Sequence, residues 1–332
     1  NPWLAFARLV GWTAQRIAGE RLPKPLAYPD RLGYFPAAAG LVAFVWIELI
    51  YPGREDPSSL ATLALLYAAI QLIGMSLYGT QAWTSRADAF SVYFSMFARL
   101  SPLRWSTTKL NVRAPLSGAP RTPIYVALAL LCCTMIGTTS FDGLTQGPLW
   151  NSVVADLQSA ATNLDLSPKH ALQLVQTLAL LAMTAVIFGI YRIGIDGIRG
   201  LENKRSSREI ADDFAHTLIP IALAYVVAHY FGLLAYQGQA VGYLISDPLG
   251  NGADYFGTAS ATIDYSWITP EGVWYTQVAA LVAGHVAGLA LAHDRALARF
   301  QDTRVAVRSQ YWMLAVMVGF TSLGLWLLSA GS

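Results

Sequence analysis

The chain has 332 residues, 55% of them hydrophobic and only 13% Asp, Glu, Lys or Arg, where an average soluble domain carries roughly 25% charged residues. With 22 basic and 20 acidic side chains it lacks the charge to cover a soluble surface of this size, and a mean hydropathy of +0.42 points to lipid as the solvent. A net charge of +2, with the basic residues in separated clusters, excludes the continuous basic stripe of a nucleic-acid binder.

In chain order, Asn1 suits a helix N-cap and Pro2 the first helical position. Trp3, Phe6, Val10 and Ile17 then recur on one face, with Arg8 and Arg16 off it. This pattern predicts an interfacial amphipathic helix within a cytoplasmic-side segment, residues 1–33. A bilayer core of roughly 30 Å needs about 17 to 25 mostly apolar residues. Seven windows meet that condition: Tyr34 to Tyr51, Leu60 to Gly79, Thr122 to Thr138, Ala171 to Tyr191, Phe214 to Tyr236, Val273 to His293 and Tyr311 to Ser329. The expectation is an all-α, polytopic transmembrane bundle over residues 34–332. Ala89 to Leu100, with Phe90, Tyr93, Phe94, Phe97 and Leu100 on one side, reads as a second interfacial helix ended by Pro102. The adjacent Cys132 and Cys133 sit inside an apolar run and read as small buried hydrophobes rather than a disulfide framework.

Lys and Arg alternate between the connections. Twenty fall on one side of the seven-window scheme and two, Arg54 and Lys169, on the other. Positive residues are retained in the cytoplasm, so this split predicts a cytoplasmic start and an outside C-terminus. The absence of an initiator Met suggests that further sequence precedes Asn1. The outer connection 237–272 contains no Lys or Arg, but holds Asp247, Asp254, Asp264 and Glu271 among Tyr243, Tyr255, Phe256, Tyr265 and Trp267. It is long for a linker. Either it caps an outward cavity or contacts a partner, or it is an ordered surface loop built on turns such as Asp247-Pro248 and Gly250-Asn251-Gly252. On the same side, Asp142 is a turn former or an outer-site carboxylate, and Glu48 either reaches the interface or pairs across the bundle.

Ionisable groups at membrane depth cost about 2.5 to 3.5 kcal/mol on insertion scales, which makes them functional candidates. They concentrate in the fifth and sixth windows. Asp212 and His216, four residues apart, share a helix face, and the antiparallel return of the next helix should bring His293 and Asp294 to a similar depth. Two imidazoles with one or two carboxylates would suit Zn, Mn or Fe; solvated helix ends explain the same residues without a metal. Pro220, lacking an N–H, is expected to leave the carbonyl of His216 open. His229 and His285 lie deeper; they are further candidate ligands, or each bonds a neighbour such as Tyr225 or Gln277. A pair of b haems is disfavoured. The 13-residue step from His216 to His229 leaves their rings about 140° apart, and His285 to His293 rises only about 12 Å.

The strings Asn1-Pro2-Trp3, Leu100-Ser101-Pro102, Ser140-Phe141-Asp142-Gly143, Phe214-Ala215-His216-Thr217, Ala228-His229-Tyr230, Ser246-Asp247-Pro248, Gly284-His285-Val286-Ala287-Gly288 and Ala292-His293-Asp294-Arg295 occur along almost the whole chain. Together they resemble a family of bacterial integral membrane proteins labelled fenitrothion hydrolase. The resemblance implies an inner-membrane location, further hydrophobic sequence upstream, and metal-assisted hydrolysis of a phosphotriester. On this reading Asp212, His216 and His293 would hold the metal, with Asp294 as base or orienting group. The alternative is a non-catalytic subunit that contacts other membrane subunits through the outer loop and interfacial helices; haem-based electron transfer and transport rank below both.

Overall fold

A computed structural model of the chain describes residues 1–19, 23–105, 109–201 and 206–330. Arg21, Lys204 and Arg205, which enter the charge alternation, lie outside the described residues.

The N-terminal helix α1 (Pro2–Ala18) is capped by the Asn1 side chain, which accepts from Leu4 N–H. Its Phe6, Val10 and Ile17 remain uncovered by protein. After it come α2 (Phe35–Leu49), α3 (Pro57–Tyr78), α4 (Thr80–Arg86) and α5 (Ala89–Ala98). A short antiparallel hairpin, β1 (Leu103–Trp105) with β2 (Leu110–Val112), leads into α6 (Leu128–Thr145). The remainder is helical: α7 (Pro148–Thr162), α8 (Pro168–Arg199), α9 (Ser207–Phe214), α10 (Ile219–Tyr236), α11 (Val241–Ser246), α12 (Pro270–Arg299) and α13 (Thr303–Ala330). The fold is therefore an all-α bundle, and six of its helical segments are long and apolar enough to cross a membrane. The chain is a multi-pass membrane protein.

Those six segments match six of the seven expected windows. The remaining window, Tyr34 to Tyr51, forms α2, whose 15 residues rise only about 22 Å. The third window is displaced toward the C-terminus: α6 begins at Leu128 because Ala127 takes a left-handed conformation (φ 68°) that interrupts any helix arriving from Thr122. The short helices α4 and α11 were not anticipated, nor were the hairpin and α7, which lays Trp150 and Ala161 against Ala171 and Val175 of α8.

The bundle is organised around α6, which packs on α2, α8, α10 and α13. It is apolar or small on every side, the composition of a helix enclosed by protein. Leu131, Cys132, Cys133, Met135 and Ile136 are fully buried, and the two cysteines are free, as expected for small hydrophobes. In α5 the buried face is Ala89, Val92 and Met96 rather than the aromatic one; Phe94 is exposed. Asp88, fully buried at the N-cap of α5, gathers three elements by accepting from Asn1 Nδ2 (2.6 Å), the Tyr67 hydroxyl (2.7 Å) and the Ser91 hydroxyl (2.7 Å).

The pair α10 and α12 runs antiparallel in close contact. A Cβ at Gly284 would meet Ala224 and come within 2.8 Å of the Pro220 carbonyl; one at Gly288 would lie 2.9 Å from the Thr217 carbonyl. The two glycines around His285 thus serve close helix packing. Before α10 the chain tightens into a 3-10 turn, Ala215–Leu218, and Pro220 follows in the first turn of α10. The His216 carbonyl is not left open as expected: it accepts from the Ile219 N–H in a 3-10 hydrogen bond.

Candidate functional site

At the end of the bundle that carries the 237–272 connection, five helices separate around a cavity of about 610 Å³. That volume lies within the range of small-molecule sites, roughly 300 to 1,000 Å³. The C-terminal part of α2 supplies Glu48 and α6 supplies Thr139, Ser140 and Asp142. Helix α10 adds Tyr225, His229 and Tyr230, α12 adds Gln277, and α13 contributes Gly324. Gln237 and Tyr265, from the connection, stand at its mouth. Among the described residues no Lys or Arg lines it.

The central contact joins His229 Nε2 to Asp142 Oδ2 at 2.5 Å, with both side chains mostly buried. Glu48 lies within electrostatic reach of both and accepts no hydrogen bond from the described residues. Ser140 is 1% exposed, and its hydroxyl has no partner among the described residues. The walls are held from outside. Tyr225 donates to the Phe320 carbonyl at 2.8 Å, and Gln277 Nε2 donates to the Ala228 carbonyl at 2.7 Å. Gly324 is required where it stands, because a Cβ there would lie 2.8 Å from the Tyr225 hydroxyl. Neither Tyr225 nor Gln277 is therefore the partner of His229; the partner is Asp142, 87 residues earlier in the chain.

A second, apolar crevice of about 280 Å³ opens beside the first. Its walls are Leu41, Phe44 and Val45 of α2, Phe90, Tyr93 and Phe94 of α5, and Val226 of α10. Glu48, Thr139, Asp142 and Tyr230 line both spaces, so the acidic cluster is their shared wall.

The residues expected to form a metal centre are distributed otherwise. His216 is buried on the 3-10 turn, and its Nε2 has no partner among the described residues. Asp212 is half-buried, while its neighbour Asp213 takes the central role, pairing with both Arg295 and Arg299 and so tying α9 to α12. His293 is exposed and donates from Nδ1 to Gln310 Oε1 at 2.8 Å, linking α12 to α13; Asp294 is exposed. His285 is buried, donates from Nδ1 to the Leu281 carbonyl one turn back at 2.6 Å, and leaves Nε2 without a partner among the described residues. Among the described residues no three His, Cys, Asp or Glu side chains are gathered tightly enough to hold a metal ion. The i, i+4 argument for Asp212 and His216 assumed one continuous α-helix. The switch to about 3.0 residues per turn at Ala215 rotates His216 away from that register.

The 237–272 connection is an ordered structure. A 3-10 turn, Gln237–Ala240, and α11 open it, and three aspartates staple the rest. Asp247 accepts from the N–H groups of Asn251 and Gly252, Asp254 from the Ser246 hydroxyl and the Ala259 N–H, and Asp264 from the N–H and hydroxyl of Ser266. The serine hydrogen bonds hold the carboxyls of Asp254 and Asp264 below the ordinary range. The Tyr236 hydroxyl and Trp267 Nε1 fasten this structure to the end of α10 through the carbonyls of Ile268 and Ala235.

Comparison of the chain with protein-family models, with curated proteins and with solved structures gave no match.

Proposed function

We infer that this multi-pass protein takes the polar, ionisable group of a ligand into the cavity at the loop end of its bundle and exchanges a proton with it there, through Asp142 and His229. The observation that carries this reading is the 2.5 Å contact between His229 Nε2 and Asp142 Oδ2 inside a cavity bordered by a third ionisable group, Glu48. Two such side chains at membrane depth are costly to retain unless they work. Paired, they form a proton donor and acceptor whose states depend on each other. A ligand arriving protonated can give its proton to Asp142; one arriving as a base can take the His229 Nε2 proton. Either exchange leaves the pair able to reset from water through the mouth at Gln237 and Tyr265.

Metal-assisted phosphotriester hydrolysis would draw on Asp212, His216, His293 and Asp294. The polar lining of the cavity supports the reading in which His229 and Asp142 act as acid and base.

The test is infrared spectroscopy of the ligand-free protein in nanodiscs, following the carboxyl bands of wild type, Asp142→Asn and His229→Gln. The band lost in Asp142→Asn should change frequency once His229 is Gln, because the carboxyl loses its imidazole partner. A band at the same frequency with and without the imidazole overturns the reading.

A further inference from the structure

The acidic wall between the two spaces has an unbalanced charge. Two carboxyls, Asp142 and Glu48, stand there against one imidazole, His229. Among the described residues neither lining includes a Lys or Arg, and the sequence of the connection at the mouth has none. A carboxylate withdrawn from water is stabilised by a cationic partner, and a ligand cation would supply one at the half-buried Glu48. Next to it, Ser140 offers a hydroxyl that is almost wholly buried, lines the cavity and bonds to nothing among the described residues. A hydroxyl oxygen accepts from N–H donors, which favours a primary ammonium over a quaternary one. Tyr230 faces both spaces and supplies an aromatic ring to a cation. Beyond it the crevice is walled by Leu41, Phe44, Phe90 and Phe94.

We propose that the cavity and crevice form one site for a long-chain primary amine bound as its ammonium ion, with the head at Glu48 and Ser140 and the hydrocarbon tail along α2 and α5. This assignment rests on the proton-exchange reading, since a protonated amine is a ligand able to give Asp142 a proton: the N–H bond breaks, its electron pair stays on nitrogen, and the carboxylate becomes a carboxylic acid. Charge complementarity selects the head and the aromatic crevice the tail. An anionic amphiphile would place like charge against Glu48, and a short amine would leave the crevice to lipid.

The experiment uses the full chain in nanodiscs of zwitterionic lipid and a dodecylamine analogue carrying a diazirine at the far end of its chain, with cross-links mapped by mass spectrometry. Labelling is expected on α2 and α5 around Phe44, Phe90 and Phe94. Excess dodecylamine should remove it, whereas dodecyl sulfate, dodecanol and ethylamine should not. Loss of a charge-assisted contact predicts about tenfold weaker labelling in Glu48→Gln at equal probe concentration, and a smaller loss in Ser140→Ala. Competition in the wild type needs no variant to fold. Equal displacement by dodecanol would mean that the crevice holds any acyl chain, and displacement by dodecyl sulfate that it selects anions; either overturns the proposal. So does labelling that Glu48→Gln leaves unchanged. The infrared coupling of Asp142 to His229 is measured without ligand, so failure of the amine site is distinguishable from failure of the acid–base pair.

Discussion

Asp88 shows how much one carboxylate can organise. It is fully buried, yet its oxygens accept from a residue at the chain's first position, from α3 through Tyr67 and from its own helix through Ser91. Truncating it would remove the acceptor of three part-buried hydrogen bonds at once, each to a charged group worth about 1.5 to 3 kcal/mol at most and less where water can replace it. Asp88→Ala is therefore expected to destabilise the protein by about 3 kcal/mol, read as a lower midpoint in thermal unfolding. It should also release α1, whose Asn1 contact would be lost, and limited proteolysis at Arg8 and Arg16 within α1 should become faster. A variant as stable as wild type with α1 still protected would contradict this. His229 and Asp142 have a comparable relation, but face a cavity rather than neighbours, which is why one acid reads as architecture and the other as chemistry.

Between elements, glycines permit close approach of helices. Gly284 and Gly288 let α12 lie against the backbone of α10, and that contact sets the position of His229 on one helix relative to Gln277 on the other. Gly284→Val would force the helices apart at Pro220 and Ala224. Overpacking of this kind costs about 1 to 3 kcal/mol, and the cavity wall should shift with it; the expected result is a lower unfolding midpoint together with weaker ligand binding. Retained stability would show that the helices yield there. The connection at the mouth makes a separate prediction, for pH. Asp254 and Asp264 have carboxyls held below their ordinary value of about 3.9. Their contribution to holding the loop is complete above that value and disappears as pH falls through the lower value of the folded state. Hydrogen exchange at Ala259 and Ser266, corrected for the intrinsic rate, should accelerate only in that acidic window, and Asp264→Asn should speed Ser266 at neutral pH. Exchange that is flat across the window would remove the staples.

At the level of the molecule, hydropathy made most of the architecture readable, because a membrane helix must satisfy its backbone internally and so announces itself as a long apolar run. The small polar helix α7 and the hairpin made no such announcement: Asn151, Ser152, Asp156 and Gln158 dilute the one, and three-residue strands are too short for a period to register in the other. The site was legible only in part. His229 and Asp142 were each visible as ionisable residues near the same end, but their pairing joins α10 to α6 and depends on α6 being central, which no local spacing encodes. Asp212, His216 and His293 looked like a set because they share a level along the sequence's helices. A turn of 3-10 helix and an arginine-bound neighbour, Asp213, are tertiary facts that level alone does not contain.

The brevity of α2 has a further effect. Beside α8, which at 32 residues is about 48 Å long, a helix of about 22 Å falls short of a hydrocarbon slab of roughly 30 Å. Lipid around a deficient segment compresses instead of leaving it stranded. The bilayer should be pinched next to Glu48, which sits one residue from the end of this helix, shortening the distance between headgroups and the crevice. On the proposed reading, an amphiphile leaving the monolayer on the side of the 237–272 connection would then meet the lowest rampart of the membrane beside its site.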